Sequence, residues 1–154
     1  MEYVKELRKA YQISFVLHVA FMATLIIYAF TVEILRGNLQ DFQGFAQNAN
    51  FSWIRYIFYG MVLAQVFIIR FIRNILSKRM TSGEERILIG HLNRASVISS
   101  ALCEVPAVLG VVLFFIIGTA RDFYVLLFVS LVLFVLYFPR YANWEEWIKT
   151  KARH

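Results

Sequence analysis

The chain has 154 residues, 60% of them hydrophobic and 17% aromatic, with a formal net charge of +6. Soluble domains carry about 45–50% apolar residues in shorter runs, so this composition points to a polytopic membrane protein and argues against a nucleic-acid binder. The basic residues gather between apolar stretches, and the single cysteine, Cys103, reads as a packing residue that makes no internal disulfide.

Met1 to Arg36 is expected to form one long helix. Its opening, EYVKELRK, is charged, residues 12–31 supply a first span, and Gly37 follows as a stop. The apolar run is too long for a signal-peptide core and no small-residue cleavage site follows, so it is read as a retained helix. His18 lies in the half of this span nearer the N-terminus.

Residues 38–52, NLQDFQGFAQNANFS, form an amide-rich connection with one acid and no base. The second span, 53–76, opens on Trp53 and Tyr56 as interfacial anchors and carries Gln65 near its midpoint. Arg70 comes toward its end, where it is expected to snorkel to the head groups rather than pair inward.

The connection 77–94, SKRMTSGEERILIGHLNR, is the most charged. Ser82 and Glu85 have capping-box spacing, so a third helix is expected to start near Gly83 and project a few turns before entering the membrane near Ala95. The third span, 95–118, contains Glu104, with Pro106 two residues later. Ser96, Ser100, Cys103, Ala107 and Gly110 recur at spacings of three and four, a stripe where another backbone can come close. A short link through Asp122 leads to a fourth span, 123–138, which has no ionisable residue and ends at Pro139. The tail reads as a short amphipathic helix, with Trp144 and Trp147 in the interface and Lys149, Lys151 and Arg153 facing phosphates.

The expected fold is therefore an all-α membrane protein, a single domain of four transmembrane helices. Basic residues crowd the N-terminal segment, the second connection and the tail, and the positive-inside rule then places both termini in the cytoplasm. The expected location is a bacterial inner (plasma) membrane, with the lipid bilayer as the surrounding partner.

Candidate chemistry centres on Glu104. An ionisable side chain at mid-bilayer costs at least about 2.5–3.5 kcal/mol on insertion scales, so it needs a partner or a task. Glu104 and Gln65 fall near mid-membrane, with His18 a little nearer the cytoplasm and Arg70 nearer still. Polar groups in lipid gain by turning toward one another, which predicts a shared interior site of Glu104, Gln65, Ser100 and His18, with Arg70 secondary. Gln65 would donate to the carboxyl, His18 would pair with it or relay a proton, and the acid would be protonated or else bound to a cation or to a basic partner. The carbonyl freed by Pro106, at Leu102 or Cys103, would add a ligand. Two other readings stay open. In one, these polar residues only fix helix packing in a scaffold or accessory subunit with a membrane-protein partner. In the other, His18 and His91 serve a b-type haem or a quinone, although the two differ in depth by a couple of turns and lack supporting residues. No nucleophile triad, phosphate loop or zinc spacing occurs, so neither an enzyme nor a cofactor is expected.

The run ALCEVPAVLG, Ala101 to Gly110, resembles the carboxylate-bearing helix of the proteolipid (c) subunit of rotary ATP synthases. The arrangement of a helix, a polar cytoplasmic connection and a second helix with a mid-membrane carboxylate is similar too. That resemblance implies H⁺ or Na⁺ carriage by Glu104, help from Gln65 as in sodium types, and a homo-oligomer.

Overall fold

The structure, a computed structural model, describes residues 2–38, 44–45, 52–79, 85–142 and 144–146. They form four long helices in the order α1 (Glu2–Asn38), α2 (Ser52–Arg79), α3 (Glu85–Ile117) and α4 (Ala120–Leu136), with no strand among the described residues. Three of them contain stretches long and apolar enough to cross a membrane: Val4–Asn38, Trp53–Ile72 and Ile87–Ile117. α4 is shorter, at 17 residues.

The helix ends follow local chemistry. α1 runs one residue past Gly37, which stays helical; only Gly44 and Gly118 take the left-handed conformation among the described glycines. At Gly118 the φ of +77° closes α3, and its N–H donates to Phe114 O at 2.7 Å. Thr119, in an extended conformation, then turns the chain directly into α4. Gly44, at φ +81°, brings the first connection against this same corner, where an added Cβ would stand 2.4 Å from Ile116 O. The close approach lets Phe45 N–H donate to Phe115 O at 2.9 Å, which satisfies a carbonyl of the last turn of α3. α4 ends at Leu136, and Phe138 leaves the helix before Pro139, as a residue preceding proline tends to do.

α3 is the hub. It packs against all three other helices, and α1 also packs on α4. Contacts at matching heights show that α1 runs parallel to α3 (Ser14 with Asn93, Tyr28 with Glu104), whereas α2 and α4 run against it. Leu25, Ile69, Cys103, Ala107, Leu133 and Phe134 join all four helices at mid-height. Above them Val32, Phe114 and Phe123 close one end, and Leu7, Ile89 and Trp144 close the other. Trp144 is therefore buried against α1 and α3 rather than lying free in the interface. Ser82, Trp147, Lys149, Lys151 and Arg153 lie outside the described residues.

The small-residue stripe of α3 does allow close approach, but by α4 of the same chain. Cys103 and Ala107 are fully buried, and a Cβ on Gly110 would come within 3.2 Å of Leu126 Cβ. The stripe is thus consumed internally and is not a face left over for a second copy. Outside, the bundle is apolar: Phe67 is 74% exposed and Phe128 66%, whereas His18, Gln65, Ser100 and Ser130 are buried. An oily exterior around a polar interior is the inverse of a water-soluble bundle and suits immersion in lipid.

Candidate functional site

The polar side chains of the interior fall into separate groups rather than one site. Glu104, half-buried on α3, faces α1. Its Oε1 accepts from Thr24 Oγ1 and from Tyr28 OH, each at 2.6 Å. Thr24 and Tyr28 are one helical turn apart, so both hydroxyls reach the same oxygen. Among the described residues no basic side chain pairs with Glu104. Thr24 Oγ1 also lies 2.6 Å from Phe21 O, one turn back on its own helix. Its single proton serves one acceptor at a time. With Glu104 ionised, Thr24 donates to the carboxylate; with Oε1 protonated, the acid donates to Thr24 and Thr24 turns to Phe21 O. Either state is satisfied by rotation of a hydroxyl.

A second group sits lower on the same seam. His18, fully buried, places Nδ1 2.8 Å from Ser100 Oγ and Nε2 3.1 Å from Phe134 O. A carbonyl only accepts, so Nε2 carries hydrogen and the neutral ring takes the Ser100 proton on Nδ1. Ser100 Oγ also lies 3.0 Å from Ser96 O. A protonated ring would donate from Nδ1 to Ser100 while Ser100 donates to Ser96 O. Phe134 and Phe138 edge the imidazole at ring-centroid distances of 5.0 and 5.3 Å. The expected pairing of His18 with Ser100 is present; the expected contact of His18 with Glu104 is not.

Gln65 has a different partner from the one expected. Pro106 lacks the N–H that would bond Leu102 O, four residues back, and Gln65 Nε2 donates to that carbonyl instead. Ser130 of α4 donates to the neighbouring Cys103 O. The carbonyls around the proline are thereby taken by side chains and add no ligand beside Glu104. Gln65 Oε1 is buried without a hydrogen-bond partner among the described residues. Arg70 is exposed on α2, and among the described residues no ion pair joins it to Glu104. His91 is half-buried on α3, more than two helical turns before Ser100, the α3 residue that His18 bonds.

One carboxylate escaped the sequence reading. Asp122, 5% exposed in the first turn of α4, has Arg55 Nη2 2.8 Å from its Oδ2 and receives Tyr59 OH on Oδ1 at 2.9 Å. The Arg55 contact is an ion pair by distance rather than an aligned hydrogen bond, and Arg55 Nε has no acceptor among the described residues. The available signal was an arginine inside the start of the second span with a tyrosine four residues on, and an acid that opens the fourth helix. Thr24 and Tyr28 were legible in a similar way. With Ser14 and His18 they occupy about a third of the circumference of α1 at 100° per residue.

No group of three or more metal-ligating side chains occurs among the described residues. Comparisons with known protein families, with characterised proteins and with solved structures find no match to this chain.

Proposed function

We propose that this is a small integral membrane protein in which Glu104 is a mid-membrane proton site, held by Thr24 and Tyr28. The observation that carries this reading is the Thr24 hydroxyl placed 2.6 Å from both Glu104 Oε1 and Phe21 O. That placement provides for the carboxylate and the acid alike with no heavy atom moved. The hydroxyls also present hydrogens to Oε1 rather than lone pairs, which suits proton binding better than a Na⁺ shell.

The full reading has four spans with both termini in the cytoplasm of a bacterial inner membrane. α4 enters as the fourth span because 17 residues are at the short edge of what crosses a bilayer, and Phe123 to Leu136 holds no Asp, Glu, Lys, Arg or His. α1 and α3, of 37 and 33 residues, overrun a slab that about 20 residues cross, and their overhang would carry the basic N-terminal and second-connection segments. The similarity to the proteolipid hairpin then rests on Glu104 and its position in α3, while the glutamine role does not carry over, since Gln65 serves Leu102 O. A homo-oligomer would form through another surface than the α3 stripe, such as the exposed face of α2.

Dicyclohexylcarbodiimide, which attacks protonated carboxyls in apolar surroundings, tests this on purified protein in lipid. Glu104 is expected to be labelled, more slowly at high pH, and Glu104→Gln to abolish the label. Protection by Na⁺ at constant pH would replace the proton with a cation; no label under any condition would end the reading. A second reading, a scaffold whose polar groups only fix packing, is favoured by Gln65 and Ser130 serving backbone carbonyls. It requires that Glu104→Gln preserve both assembly and phenotype.

A further inference from the structure

The surroundings of Glu104 differ above and below it along the α1–α3 seam. Toward the C-terminal end of α1, the next layer is Val32, Phe114 and Phe123, all buried to within 1% and wholly apolar. Toward the N-terminal end, the seam stays polar for several turns. Ser100 lies one turn below Glu104 on α3, with Cβ atoms about 5–6 Å apart for that spacing. It bonds His18, and below His18, Ser14 donates to Asn93 Oδ1 at 2.6 Å. Asn93 is half-exposed, whereas Ser14 and His18 are buried. Polar side chains thus recur from the half-exposed amide up to Ser100, one turn short of the carboxyl, whereas the layer on the other side is apolar.

We infer that Glu104 exchanges its proton with one side of the membrane only, the side of the α1 N-terminus, with His18 and Ser100 as the relay. The inference rests on Glu104 being a proton site. The step balances if Ser100 turns its hydroxyl from Ser96 O toward Glu104, one turn up the helix: its O–H bond breaks as the proton joins the carboxylate, and the Nδ1–H bond of the imidazolium breaks as that proton replaces it on Oγ. Two neutral groups replace two charged ones. The Ser100 hydroxyl has an acceptor in each state, Nδ1 when the ring is neutral and Ser96 O when it is charged. Phe134 O, in the last turn of α4, holds Nε2–H throughout and presents the negative end of that helix to the charged ring.

The test follows the infrared carboxylic-acid band of Glu104, identified by its loss in Glu104→Gln, after a pH jump on oriented proteoliposomes. An acid jump on the α1 N-terminal side is expected to raise the band, and the same jump on the opposite face to leave it flat until the lumen equilibrates. His18→Gln is expected to slow the rise about a hundredfold, the low end of what a positioned proton-transfer group contributes, with the final amplitude kept. Ser100→Ala, which keeps the helix and removes the hydroxyl, is expected to slow it in the same way. Equal rates from both faces, or wild-type rates in both variants, would overturn the relay while leaving Glu104 a proton site. Absence of any Glu104 band in the wild type would instead remove the proton site itself.

Discussion

Asp122 and Glu104 both turn inward, and they are handled in opposite ways. Asp122, near the end of α4 that follows Gly118, meets a guanidinium and a phenol from α2. Glu104, at mid-height, meets two hydroxyls from α1 and no cation among the described residues. Held by a guanidinium and a phenol from α2, Asp122 fastens α2 to α4 as a clasp. A carboxyl countered by groups that can rotate has no such anchor. The difference separates a fastening from the proposed proton site, although both are acids turned inward on neighbouring helices, Asp122 buried and Glu104 half-buried.

The largest expected effect breaks the clasp. Arg55→Met leaves Asp122 without its cation in an apolar setting and should destabilise the bundle by about 3 kcal/mol, the lower end for a broken buried pair because Arg55 is 37% exposed. Reversible unfolding in mixed micelles reads this, and a loss below about 1 kcal/mol, the range of exposed pairs, would demote the clasp to a surface contact. Gln65→Leu comes next. It strands Leu102 O at the Pro106 break and should cost about 1 kcal/mol, within the range of intramembrane side-chain hydrogen bonds. No change at all would mean the carbonyl finds another donor.

The smallest effects on stability belong to the Glu104 level. Tyr28→Phe and Glu104→Gln should each cost about 0.6 kcal/mol, a typical value for one such bond. Carbodiimide labelling separates them: Tyr28→Phe should keep the label at position 104, whereas Glu104→Gln removes it. If Glu104→Gln instead cost as much as Arg55→Met, the acid would be a fastening like Asp122, and the contrast between the two would collapse.

The helices were legible because long apolar runs and the punctuation at Gly118 and Pro139 act locally. Glu104 was legible because a lone acid in an apolar run stands out without any partner being known. Its partners were not, because which side of α1 faces α3 depends on how two helices rotate against each other. The same limit applies to the small-residue stripe. Its spacing shows that something packs closely there, but only contact with Leu126 and Phe123 shows that α4 does so. Asp122 was read only as the end of a short link, since nothing at a helix start reveals its partners until Arg55 and Tyr59 are seen across from it.

Composition and periodicity by themselves determined that this chain is helical, that its surfaces are oily, and that an acid lies inside one long apolar helix. These follow from local terms: hydropathy per residue, backbone hydrogen bonding in the absence of water, and the lost N–H of proline. Tertiary structure alone decided that Gln65 serves the backbone at Leu102, that His18 joins Ser100 and not Glu104, and that Thr24 and Tyr28 hold the carboxyl. Those pairings are choices among near-equivalent polar partners, settled by how closely α1 and α4 seat against α3.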